Sequence, residues 1–155
     1  MAQNLNEWHK ICTQKDIADL LDAYGGFHDT CIVSVNYLSG THVDSERAMH
    51  FNEFDTYKLN IVFHSQWSNY ALELHFSGLR RFHLTGMQDN YTNDIFDASI
   101  KFCDNILPSG YQTPAQVIVW ADRSNFDIKD IDTQLTEPAD TYVIAHALKW
   151  RLIEK

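Results

Sequence analysis

"YKLNIVFHSQWSNYALELHFSGLRRFHL", Tyr57 to Leu84, carries the plainest structural signal in the chain. Leu59, Ile61 and Phe63 alternate with polar residues, then Leu72, Leu74 and Phe76 do so, then Phe82 and Leu84. Successive side chains of a strand point to opposite faces, so each run reads as a strand with one buried face. Turn-forming residues at Gln66 to Asn69 and at Ser77 to Leu79 separate the runs and predict a three-strand antiparallel meander. In that register Ile61 faces Leu74, Leu74 faces Phe82, and Leu72 faces both Phe63 and Leu84. A slip of one residue would turn every apolar set toward water.

The same alternation extends outward. In Phe27 to Leu38 the residues Phe27, Cys31, Val33, Val35 and Tyr37 share the core parity, while His28, Thr30, Ser34 and Asn36 share the other. Ser39-Gly40 ends that strand, and the polar stretch Thr41 to Asp55 holds a short strand around Met49 to Phe51. Further strands are expected at Ile95 to Cys103, at the β-branched run Val117 to Ala121, and at Tyr142 to Ile153, with Asp122 to Asp140 mostly loop. The N-terminal residues Leu5, Trp8, Ile11, Cys12, Ile17, Leu20, Leu21 and Tyr24 recur every three or four positions, which predicts a helix with a break near Thr13-Gln14. Gly25-Gly26 stops it, because glycine takes the left-handed conformation that closes a last helical turn. The expected architecture is a single α+β domain over 1–155: an N-terminal helix packed on one curved, mainly antiparallel sheet of about six to eight strands.

Composition narrows the partners. Twelve Lys+Arg against 21 Asp+Glu leave a formal charge of -9, which repels nucleic acid and anionic membrane in the absence of a basic stripe. The densest basic segment, Lys149-Trp150-Arg151, is short and alternates with apolar positions as a strand face does. No signal peptide or spanning run of roughly 20 apolar residues is present, so a cytosolic protein is expected. Cys12, Cys31 and Cys103 are far apart and form no CxxC, which encodes neither a disulfide framework nor a zinc site.

The stretch "GGFHDTC", Gly25 to Cys31, sets a histidine beside an aspartate. In a pleated strand His28 and Asp29 would point to opposite faces, so they are not read as a catalytic dyad, and a Cys31-His28-Asp29 triad fails for the same reason. Asp29 falls on the core side with Phe27 and is expected to tie the corner down by accepting from backbone N–H groups. His28 faces outward and is left for a partner or ligand. On the meander His83 is expected opposite Glu73, His75 opposite Arg81 and Asn60, and His64 opposite Ala71, so the three rings do not converge on a metal. His146 stands in an apolar series and reads as a core histidine with a hydrogen-bond partner. Asp127, Asp130 and Asp132 lack the spacing, glycine and closing glutamate of a calcium loop. No Walker A, GxGxxG, GxSxG or HExxH pattern occurs, and no cofactor or metal is expected.

"GGFHDTCIVSVNYLSG", "YALELHFSGLRRFHL" and the closing "TYVIAHALKWRLI" together resemble, over Leu21 to Ile153, a family of small bacterial proteins of unknown function. Its members have a GFHDS-like helix-to-strand corner and a terminal KW-R strand, and are loosely similar to immunity proteins of polymorphic toxin systems. The resemblance implies that Phe27, His28 and Asp29 form the recognisable corner, and it brings no catalytic residues. The expected function is therefore a non-enzymatic interaction protein whose acidic surface steers a basic partner such as a toxin. The alternative is a small-ligand module or enzyme with a pocket among His28, His146 and Trp150.

Overall fold

The structure, a computed structural model, describes residues 4–51, 56–85, 94–106, 115–133 and 140–155. In chain order its elements are β1 (His9–Ile11), α1 (Gln14–Ala23), β2 (Thr30–Leu38), β3 (His42–Val43), β4 (Met49–His50), β5 (Lys58–Ser65), β6 (Tyr70–His83), β7 (Asp94–Ile95), β8 (Ser99–Asp104), β9 (Gln116–Ala121) and β10 (Tyr142–Glu154). Short 3-10 turns lie at Gly25–Phe27 and Ile128–Thr133.

The main sheet runs β7-β2-β5-β6-β10-β9-β8, all antiparallel, with β1 added to β10 beyond the stretch that β9 occupies. β7 and β8 sit at opposite ends of this order, yet only residues 96–98 separate them in sequence. Four peptide steps reach at most about 14 Å, so the sheet has to curl until its two edges lie close together. The result is a half-barrel, an α+β fold made mostly of sheet.

Inside the curl, Phe27 meets Phe63 and Trp120 with ring centroids 5.2 and 5.8 Å away, and Phe63 lies 5.4 Å from Trp120. All three are fully buried, and α1 adds Ile17, Leu20 and Tyr24 to the same cluster. The Tyr24 hydroxyl donates to the Phe63 carbonyl at 3.1 Å, and burial pushes its pKa up to about 12. A second cluster of Val117, Val119, Ala121, Phe126, Tyr142 and Ile144 forms beside Ile128 and Ile131 of the 3-10 segment. Alternation along β10 divides the two: Tyr142 and Ile144 serve one cluster, Val143 and Ala145 the other.

Four departures from the sequence pattern have local causes. The helix is shorter than expected, because His9–Ile11 pairs with β10 and Thr13 caps α1 in a capping box with Asp16. That cap is the break near Thr13-Gln14, and edge pairing takes the residues before it. The three-strand meander is two strands: β6 runs through Ser77 to Leu79 without reversing, taking Gly78 at φ +61° within the strand and shifting register against β10 by one residue at Arg80. Leu74 and Leu72 therefore do not face Phe82 and Leu84; Phe82 pairs with Val143 and Leu72 with Leu152, while Ile61–Leu74 and Phe63–Leu72 stand as expected. Ile95 to Cys103 is not one strand but β7 and β8 on the two sheet edges, with Phe96 exposed on the bridge between them. In β2 a bulge between Ile32 and Ser34 inverts the parity, which turns Thr30 and Ile32 inward and leaves Cys31 and Val33 outside.

Asp122 follows β9, where burial foremost, with Asp140 adding to it, pushes its carboxyl up to about 6. Unfolded, the group ionises near pH 4; folded, it keeps its proton to about pH 6. The folded chain thus binds more protons in that window, and stability falls as pH rises through it. Asp122→Asn is expected to raise the melting temperature at pH 7 by several degrees, equivalent to about 2 kcal/mol, with the gain shrinking to nothing near pH 4. Thermal denaturation at the two pH values measures this.

Candidate functional site

The glycine corner is coiled, not pleated. Gly25, Gly26, Phe27 and Asp29 all have positive φ (56°, 63°, 66° and 54°), and the strand starts at Thr30. His28 and Asp29 therefore do not lie back to back, as the strand reading required; His28 Nε2 is 3.5 Å from Asp29 Oδ2, and both groups are well exposed. Nor does the Asp29 carboxylate reach into the core to accept backbone N–H groups. Asp29 contributes through its main chain, whose carbonyl accepts from the Gln66 N–H at 3.1 Å.

Other groups fasten the corner. His28 Nδ1 is 2.7 Å from the Phe96 carbonyl, which can only accept, so that nitrogen carries the proton. Trp67 Nε1 donates to the His28 carbonyl (3.0 Å), Thr30 Oγ1 to the Phe27 carbonyl (2.8 Å), and the Ala98 N–H to the Gly26 carbonyl (3.1 Å). The end of α1, the β5–β6 turn and the β7–β8 bridge are held together here. His28 and Phe27 are parts of that fastening.

Beside the corner is a concavity of about 350 Å³ lined by Asp29, Cys31, His64, Asp94 and Lys155 among others. Strand register puts Asp94, Cys31 and His64 in one row across β7, β2 and β5. The lateral neighbours of the thiol are thus His64 and Asp94, a juxtaposition that no sequence spacing announces. A nucleophilic thiolate needs an electropositive setting, and two carboxylates line this one. The cation present, Lys155, spends its ammonium on the Ser65 and Ser68 carbonyls at 2.7 and 2.6 Å.

His146 and Trp150 lie on β10, which β5 and β6 separate from β2, roughly 14 Å at the usual spacing. Arg80 Nε donates to His146 Nε2 at 2.8 Å, and burial, then Arg80, holds the imidazole pKa below its ordinary value. Trp150 is buried in the main core and stacks on His9 at 4.6 Å. None of His28, His146 and Trp150 lines the concavity beside the corner.

The other histidines take separate partners. His75 lies opposite Asn60 as expected, with Nδ1 2.6 Å from Asn60 Oδ1, but its other neighbour is Lys149, not Arg81. His83 faces Tyr142 instead of Glu73, with Nδ1 2.9 Å from the Asp140 carbonyl. The differences at His75 and His83 follow from the unbroken β6, while His64 pairs on its β2 side with Cys31. Among the described residues no three His, Cys, Asp or Glu side chains are grouped to hold a metal ion. The side chains of Asp130 and Asp132 lie outside the described residues.

The surface that sequence reading passed over is the β3–β4 hairpin, which stands apart from the main sheet. Asp44 organises its turn: Oδ1 accepts from the Glu46 and Ala48 N–H groups, each at 2.9 Å, and Oδ2 meets His50 Nε2 at 2.6 Å. His50 and these N–H groups hold the Asp44 carboxyl below its usual pKa. His42 stacks on its partner His50 at 5.0 Å, so the histidines share one face and the Val43–Met49 pair takes the other. Phe51 follows at the same parity as Met49, and Val43, Met49 and Phe51 are 58, 61 and 74% exposed. Along β2, β7 pairs only with Thr30 and Cys31, and no described strand pairs with the outer edge of Ile32 to Leu38. Val33 and Leu38 are exposed there. The short strand expected around Met49 to Phe51 is present as β4, but its pairing with His42–Val43 was not legible, because two-residue strands around a polar turn give too few alternations to show a partner.

Comparison with known proteins finds no matching family, no similar curated protein and no similar solved structure. Among the described residues no helix is long and apolar enough to cross a membrane.

Proposed function

We propose that this chain is a non-enzymatic interaction module of the immunity type, which binds a basic protein in the bacterial cytosol. The observation that carries the reading is the exposed apolar pair Val43–Met49 of the β3–β4 hairpin, with Phe51 exposed just beyond β4. A two-stranded hairpin is marginal by itself in water, and contiguous apolar surface outside a core marks a contact site. The open edge of β2, the strand that precedes the hairpin in sequence, offers backbone N–H and C=O groups to an added strand. Charge supports a cationic partner: residues 44–55 include Asp44, Glu46, Glu53 and Asp55 against Arg47 in a chain of net charge -9. The resemblance of the GFHDT corner and the KW-R strand to immunity-like proteins points the same way.

The test is affinity capture from the native cells by the tagged wild-type chain and by a Val43→Asp/Met49→Asp variant. The wild type is expected to retain a basic protein at low ionic strength and release it at high. The double variant should melt within a few degrees of wild type and retain at least tenfold less, because hot-spot residues dominate binding energy. Equal retention by both chains, or capture insensitive to salt, would overturn the reading.

A further inference from the structure

Sequence places the Lys and Arg residues far apart, but the sheet collects several of them on one outer face. Strand register sets Lys10 opposite Lys149, Lys149 opposite His75, and His75 opposite Asn60; the adjoining positions hold Arg151 opposite Glu73, and Lys58 lies two residues along β5 from Asn60. Trp8 sits over this array, with the Lys149 ammonium 4.4 Å and the Arg151 guanidinium 4.3 Å from its ring and His75 against it at 5.8 Å.

The carboxylate within these rows is already satisfied. Glu73 is 8% exposed and accepts from Arg151 Nε at 2.7 Å and Asn60 Nδ2 at 2.8 Å. Lys10, Lys58 and Lys149 make no ion pair with any described residue. Like charges directly opposite on antiparallel strands destabilise a sheet, so the Lys10–Lys149 pairing itself does not stabilise the fold, and Lys149 is held by its contact with the Trp8 ring. The positive field is felt by His75, whose pKa is lowered by burial first and then by Lys149 and Lys58.

We propose that this face docks an acidic peptide segment of a partner protein, laid extended across β1, β10 and β5 so that its carboxylates meet Lys10, Lys149 and Lys58. Three strand spacings, about 14 Å, separate β1 from β5 by way of β10 and β6, a span that about five residues of an extended chain cover. Single-stranded nucleic acid is the poorer fit. Its bases need an open aromatic plane, whereas Lys149 and Arg151 already sit over Trp8. The hairpin plays no part in this contact, so the inference stands or falls apart from the proposed function.

The experiment is calorimetric titration of the full chain at low ionic strength with three probes: a capped octaglutamate peptide, an eight-residue oligothymidylate and inorganic phosphate. Octaglutamate is expected to bind most tightly and to weaken as salt is added. A Lys10→Gln/Lys58→Gln variant, which leaves the Lys149–Trp8 contact in place, should bind it about tenfold more weakly while melting within a few degrees of wild type, since neither lysine makes an ion pair with a described residue. No octaglutamate binding by wild type, unchanged affinity in the variant, or tighter binding of either other probe would overturn the proposal.

Discussion

Gly25→Ala is expected to destabilise the folded chain by about 3 kcal/mol, well beyond the effect of Gly26→Ala next to it. Both glycines have left-handed φ, +56° and +63°, and a side chain at either carries a strain of about 1–2 kcal/mol. Only Gly25 also lacks room: a Cβ there would lie 2.6 Å from Trp67 Cζ2, while at Gly26 nothing comes within 4 Å. Trp67 cannot swing aside freely, because its Nε1 is bonded to the His28 carbonyl and its ring packs 5.7 Å from Tyr24. Chemical denaturation of the two single variants separates strain from overlap. In a Trp67→Leu background Gly25→Ala should cost no more than Gly26→Ala; equal costs in the wild-type background would mean that Trp67 does not close over the corner.

Glu73→Ala should be comparably damaging, about 3 kcal/mol, for an electrostatic reason. The carboxylate is nearly buried on the outer face and links β10 to β5 through Arg151 and Asn60. Its removal leaves a guanidinium and an amide in a desolvated position without their acceptor. Glu73→Gln keeps one acceptor oxygen and is expected to cost about half as much. Joint replacement, Glu73→Leu with Arg151→Met, should recover most of the loss, since an apolar pair of similar volume often does as well as a buried ion pair. A double-mutant cycle by denaturation that gave no coupling between Glu73 and Arg151 would contradict this account of the network.

The half-barrel was legible in the sequence because its strands are amphipathic. Leu59, Ile61 and Phe63 alternate cleanly, and Tyr142 to Ile153 alternates despite helix-forming alanines, so the antiparallel sheet and its N-terminal helix could be read directly. What could not be read was set by positive-φ residues and bulges, which act on geometry without disturbing composition. Gly78 resembles a turn residue but lies at positive φ inside the unbroken β6. The bulge at Val33 moves Cys31 outward, and left-handed Phe27 and Asp29 bring His28 and Asp29 together where a pleat would have parted them. Features assembled between strands left no trace in the sequence: the Asp94-Cys31-His64 row and the Lys10-Lys149 pair each join distant segments through hydrogen-bond register. The corner residues were visible as a motif, but their fastening by Trp67, Phe96 and Ala98 was not.

The most direct measurement places a photo-crosslinking residue at position 43, on the exposed hairpin face, and another at position 104, at the exposed end of β8, and irradiates native cells. If the hairpin is the docking face, position 43 yields a single crosslinked product with a basic protein, and Met49→Asp abolishes it. Equal yields from the two positions, or a spread of unrelated products from position 43, would contradict the assignment of this chain as a binding module.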